Sequence, residues 1–240
     1  MGSVRIASLA ALTAASVSAF AAAGTPPVVN VDVNVNGNNT NYLPAGTATA
    51  FTGVYNFVGS GAGVSHLTSW NFNATNNLET SPAFVSGNFT FVNTSAGLAD
   101  FDVLITLDTS PQGPFTLIGG SVSGGLTADF DGGFFSSTGG APIWTSYIDG
   151  VFQASLLNLA GPVTANPFDS VNIGADFFGD PIPDMVGPAL GNAMQIRFRF
   201  TLGAGDQASF TSVFVAEVVP APAGLALLGL AGFAGRRRRN

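Results

Sequence analysis

Asp32, Asn34, Asn36 and Gly37, in the stretch "DVNVNG", follow the order in which an EF-hand calcium loop begins. Alternating carboxylate and amide oxygens would ligate the ion, and the glycine would allow a sharp turn. The twelfth position of such a loop needs a bidentate glutamate, and here it is Leu43. Val29, Val31, Val33 and Val35 alternate with the same polar residues, so the spacing predicts a strand with its polar side in solvent. Other acids fall close together: Asp100 with Asp102, Asp129 with Asp131, and Asp176 with Asp180 and Asp184. Neighbouring loop carboxylates can hold calcium through oxygen ligands. They serve equally as solvated faces and turn formers. Asp129 and Asp131 run into the turn "DGG" and are the candidate metal pair, although the expectation for the chain is no metal and no cofactor.

His66 is the single histidine. A catalytic set with Ser60 or Ser65 and a distant aspartate is formally open, because triads assemble in space. "SGAGVSHL" lacks the G-x-S-x-G elbow that exposes a nucleophilic serine. Glycoside hydrolysis needs two positioned carboxylates; the glutamates are only Glu79 and Glu217, and spacing alone does not pair the aspartates. "GSGAG", 59–63, has the glycines of a phosphate cradle without the following helix and lysine. Four N-x-[ST] triplets start at Asn38, Asn73, Asn88 and Asn93, in a chain rich in Asn and Thr. Trp144 and Tyr147 could stack on a sugar ring if one faces outward, while buried core is the commoner fate of aromatic residues. Adjacent Phe134 and Phe135 must face opposite sides of a strand. These residues predict a protein that is not an enzyme.

The elements that must position these groups are strands. In "LADFDVLITLD" one face takes Ala99, Phe101, Val103, Ile105 and Leu107, and in "NAMQIRFRFTL" one takes Met194, Ile196, Phe198, Phe200 and Leu202. Trp70/Phe72 and Phe89/Phe91 alternate in the same way. This is the period of half-buried strands, and Gly-rich turns separate them. About ten strands with two inner faces predict an all-β fold, a single antiparallel β-sandwich of jelly-roll-like kind. Residues 193–202 and 207–218 are expected to form the last hairpin. The Pro- and Gly-rich stretch 166–192 is expected to be a long surface loop around one short strand. Cysteine is absent, so no disulfide, thiolate metal site or cysteine nucleophile exists and the core must hold without covalent staples. Charged residues make up 9% of the chain against a usual quarter, which leaves the surface mainly to neutral polar side chains.

Charge is segregated along the chain. Between residues 24 and 219, Arg197 and Arg199 stand against fourteen acids, a net of −12, while the remaining arginines lie at the two ends. That acidic body repels phosphate backbones, which excludes nucleic acid as a partner. At the start, Arg5, an apolar run from Ile6 to Phe20 and small residues before Gly24 have the order of a secretory signal peptide over residues 1–23. Cleavage after Ala21 or after Ala23 fits. At the other end, Ala223 to Gly235 would form about 20 Å of helix, short of a bilayer core of about 30 Å. Arg236, Arg237, Arg238 and Arg239 follow it. Charges of this kind stop a hydrophobic segment with its C-terminus on the cytoplasmic side.

A proline motif, an apolar segment and a terminal arginine cluster together resemble the PEP-CTERM sorting signal of Gram-negative bacteria. The match covers residues 219–240 and is closest to the V-P-x-P-A variant, on Val219, Pro220, Ala221, Pro222 and Ala223; the glutamate of Pro-Glu-Pro is Ala221 here. The resemblance implies an exosortase-like membrane protease or transpeptidase as partner and transient insertion in the inner membrane. It also implies final placement at the cell surface or in the extracellular polysaccharide matrix. The chain is thus expected to comprise a signal peptide (1–23), a β-sandwich (24–218) and a sorting tail (219–240) that forms a hydrophobic helix. The expected role is an exported structural or adhesive protein of the surface or biofilm matrix, with exopolysaccharide as a partner. The alternative is a calcium-assisted, lectin-like carbohydrate-binding module.

Overall fold

The structure, a computed structural model, describes residues 25–76 and 82–219. In chain order the first strands are β1 (Val29–Val35), β2 (Asn38–Tyr42), β3 (Gly46–Ala48), β4 (Tyr55–Ala62), β5 (His66–Thr75) and β6 (Ala83–Asn93). There follow β7 (Ala99–Asp108), β8 (Thr116–Thr127), β9 (Gly133–Ser136), β10 (Trp144–Ile148) and β11 (Val151–Leu156). The last are β12 (Val163–Ala165), β13 (Ser170–Phe178), β14 (Met185–Gly187), β15 (Ala193–Leu202) and β16 (Gln207–Val218). The chain is all-β, with a single 3₁₀ turn at Thr138–Gly140 among the described residues.

These strands make two antiparallel sheets. The first runs β11-β10-β15-β7-β1-β2, with β9 beside the end of β15 and β12 beside β9. The second runs β13-β8-β16-β6-β5-β4-β3, with β14 against β8. Alternation in the sequence becomes alternation in burial: β1, β7 and β15 each bury every second residue. The buried faces of the two sheets meet in a phenylalanine core. Phe198 of the first sheet lies 4.8 Å from Phe210 of the second, ring centre to ring centre, and Phe101 stacks on Phe200 at 5.0 Å. Such rings supply large buried areas, which a core without disulfides needs.

Three expectations are corrected. Strands number sixteen among the described residues rather than about ten. Residues 193–202 and 207–218 are not a hairpin, because β15 belongs to the first sheet and β16 to the second. The short connection is an arch tied by buried Asn93, whose Nδ2 donates to the carbonyls of Leu202 (3.0 Å) and Gly203 (2.9 Å). A hairpin and an arch give the same alternation, so sequence period cannot separate them. Residues 166–192 hold more than one short strand: β13 is nine residues long along β8, and three-residue β14 also pairs with β8. A bulge between Asn172 and Gly174 (φ 142°) breaks the period of β13, and that hid it.

Candidate functional site

The calcium-loop pattern resolves into a hairpin. Asn36 and Gly37 (φ 49° and 85°) form the tight turn between β1 and β2, the left-handed pair that a two-residue hairpin demands. Asp32 points outward and accepts hydrogen bonds from the side chains of Asn30 (2.9 Å) and Asn41 (2.7 Å). Asn34 Oδ1 accepts the Gly37 N–H (2.9 Å), so these oxygens are spent on the turn.

Of the other acids, Asp100, Asp102, Asp129, Asp131 and Asp176 are likewise engaged. Asp102 takes both Nε (2.6 Å) and Nη2 (2.5 Å) of Arg197, which holds the guanidinium in its charged form well above its usual range. Asp100 accepts the Thr201 hydroxyl (2.5 Å). Asp176 caps the backbone N–H groups of Leu157 (3.2 Å) and Phe177 (2.9 Å). Asp129 Oδ1 accepts the Asp131 N–H (3.0 Å), a bond that lowers the Asp129 pKa, while sharing with Asp129 raises that of Asp131. The residue that organises this turn is Asp206, just before β16; its sequence surroundings do not single it out. It is buried, and its carboxylate accepts the N–H groups of Asp129 (3.2 Å) and Phe134 (2.8 Å). Burial pushes its pKa up. Among the described residues, no group of three or more His, Asp or Glu side chains is placed to hold a metal ion.

His66 is buried, and its Nε2 lies 3.1 Å from the Tyr42 hydroxyl. Its Nδ1 has no partner among the described residues, and burial depresses its pKa. Ser60 sits on the other face of the sheet, paired with Ser69, so it does not join His66 in a catalytic set. The "GSGAG" stretch has a packing role. A Cβ at Gly59 would fall 2.8 Å from the Trp70 ring, one at Gly61 2.2 Å from Tyr42, and one at Gly63 2.1 Å from His66. Successive inward glycines make room for three aromatic rings, which sequence alone did not reveal. Trp144 is buried, its indole N–H donating to Ser212 Oγ across the two sheets (2.8 Å). Tyr147 is half-buried with Phe152 at its ring edge. Phe135 is buried and Phe134 half-buried, opposite faces as expected.

The two outer faces differ in kind. That of the first sheet carries Asp32, Asp100, Asp102, Arg197 and Arg199. That of the second, from β4 across to β13, is neutral apart from Glu217 near the end of β16. One transverse row there runs Ser60, Ser69, Thr90, Ser209, Gly125, Asn172, one residue from each of six neighbouring strands. Two hollows open along it, of about 360 Å³ around Gly125 and about 460 Å³ around Ser69, and Thr90 lines both.

No family model matches this chain, and no curated protein or solved structure matches it. The site rests on its own geometry. Of the expected sorting motif only Val219 is described, its N–H on the Phe115 carbonyl (3.3 Å). Ala21, Ala23, Pro220, Ala221, Pro222, Ala223 and Arg236, Arg237, Arg238, Arg239 lie outside the described residues, as does Glu79.

Proposed function

We propose that this chain is an exported protein of the cell surface or extracellular matrix, structural or adhesive rather than catalytic, delivered by an exosortase-like system. In this reading residues 24–218 are one β-sandwich with jelly-roll-like crossings. The supporting observation is where the tail leaves the fold. β16 is an interior strand, paired along its length with β6 on one side and β8 on the other, and it ends at Val218 beside Val219-Pro220-Ala221-Pro222-Ala223. A pull on the tail acts along that strand, so release requires breaking two hydrogen-bonded ladders together. A body fixed to a surface by its C-terminus needs such an exit.

Two prolines after β16 resist helix, and Pro222 biases Ala221 toward an extended backbone that a protease can grip. Processing is therefore expected near residues 219–223. Mass spectrometry of the mature protein from its native host tests this. A new C-terminus there, in protein recovered from the surface or matrix, supports the reading. A C-terminus still at Asn240 makes the tail a plain anchor and ends it.

A further inference from the structure

We propose that the row of hollows across the second sheet is a binding trough for a linear, uncharged polysaccharide laid perpendicular to the strands. The inference rests on the surface or matrix reading only for where the chain would meet such a polymer. Three observations carry it.

The first is shape. Both hollows lie on one transverse row and share Thr90, so they form one trough across six strands. Five inter-strand steps make it about 24 Å long, room for several pyranose rings in line. Gly125 lowers its floor, since no side chain rises there. The second is chemistry. The trough offers hydroxyls and amides, groups that donate and accept as sugar hydroxyls do. Among the described residues the hydroxyls of Ser60, Ser69 and Ser123 make no hydrogen bond, so their capacity is open. Beside them the wall is pre-ordered: Thr211 donates to Asn88 (2.7 Å), and Asn56 donates to Asn71 and Asn73 (both 3.1 Å). Exposed Leu67 and Val58 add apolar ground for the C–H faces of a pyranose. The third is charge. On a body of net −12, the trough and its walls carry no ionisable residue. A polyanion would be repelled by the body and find no cation in the trough; a neutral polymer meets neither obstacle.

The test uses the purified full-length chain with immobilised neutral glucan and mannan, and with anionic alginate, in affinity electrophoresis. Retardation is expected on a neutral polymer and not on alginate, unchanged between about 50 and about 500 mM salt because no ion pair contributes. Gly125→Tyr and Ser69→Tyr should each weaken binding about tenfold by filling the trough. At Gly125 an added Cβ has open space, with the Val171 carbonyl oxygen nearest at 3.7 Å, so the fold tolerates it. Arg199→Gln, on the opposite face, should change nothing. Binding that follows Arg199 or salt would move the site to the charged sheet and overturn the proposal. Absence of binding to any neutral polymer would also overturn it. So would a concentration-dependent dimer, seen by sedimentation, that Gly125→Tyr abolishes, since the face would then pair with a second copy. Lost binding in a protein correctly delivered to the surface sinks the trough alone. Binding by a protein that never leaves the cytoplasm sinks the export reading alone.

Discussion

Removing the bond between Trp144 and Ser212 should reveal how far a single buried hydrogen bond couples the two sheets. Trp144 belongs to β10 of the first sheet and Ser212 to β16 of the second, and both are fully buried. The indole reaches across the core, edge-on to Phe214 at 6.2 Å and tilted against Phe178 at 6.0 Å, and its N–H meets Ser212 Oγ at 2.8 Å. Ser212→Ala strands a buried donor, a loss of about 1–3 kcal/mol. Trp144→Phe strands the serine hydroxyl and adds a cavity, so it should cost about 2–4 kcal/mol. In the double variant neither polar group is stranded. It should therefore cost less than the two singles together, by about 1–2 kcal/mol of coupling. Urea unfolding followed by the fluorescence of the two tryptophans, Trp70 and Trp144, reads the single variants. For the Trp144 variants, far-ultraviolet circular dichroism replaces the lost signal. Costs that add to within about 0.3 kcal/mol would refute the coupling.

Gly61→Val should destabilise the fold by about 1–3 kcal/mol through overpacking, because its first carbon alone would fall 2.2 Å from the Tyr42 ring; an unchanged urea midpoint would count against the aromatic packing described here. Burial lowers the folded-state pKa of His66, and the groups packed against its ring, Tyr42 from β2 and Phe101 from β7, carry no charge. Its contribution is therefore fully present above the unfolded value near 6.5 and is lost as pH falls below it toward the depressed folded value. The urea midpoint should drop as pH falls below about 6.5, and His66→Phe should flatten that part of the profile. If the slope survives the substitution, other groups own it. Replacing Arg236, Arg237, Arg238 and Arg239 by serine should let the tail slip through the membrane, so that unprocessed protein appears in the medium; normal processing would show that these charges do not hold it.

How much was legible follows from which forces act along the chain and which act across it. The strand faces of β1, β7 and β15 could be read because burial of one face writes a period of two directly into the residues. The Asn36-Gly37 stretch read as the start of a calcium loop or as the polar side of a strand, and only the pairing of Val35 with Asn38 makes it the turn of a hairpin. The role of Asp206 was not legible, because nothing local distinguishes a turn aspartate in water from one buried under Asp129 and Phe134. The neutral trough was also hidden. Ser60, Ser69, Thr90, Ser209, Gly125 and Asn172 are scattered over more than a hundred positions, and only strand order and register set them in a line. By itself the sequence determined that the chain is all-β, that its body is acidic and free of cysteine, and which residues β1, β7 and β15 bury. Tertiary structure alone decided which sheet each strand joins, and with it which small polar residues stand side by side. Alternation is a local property of one strand, whereas adjacency is set by pairing between distant segments.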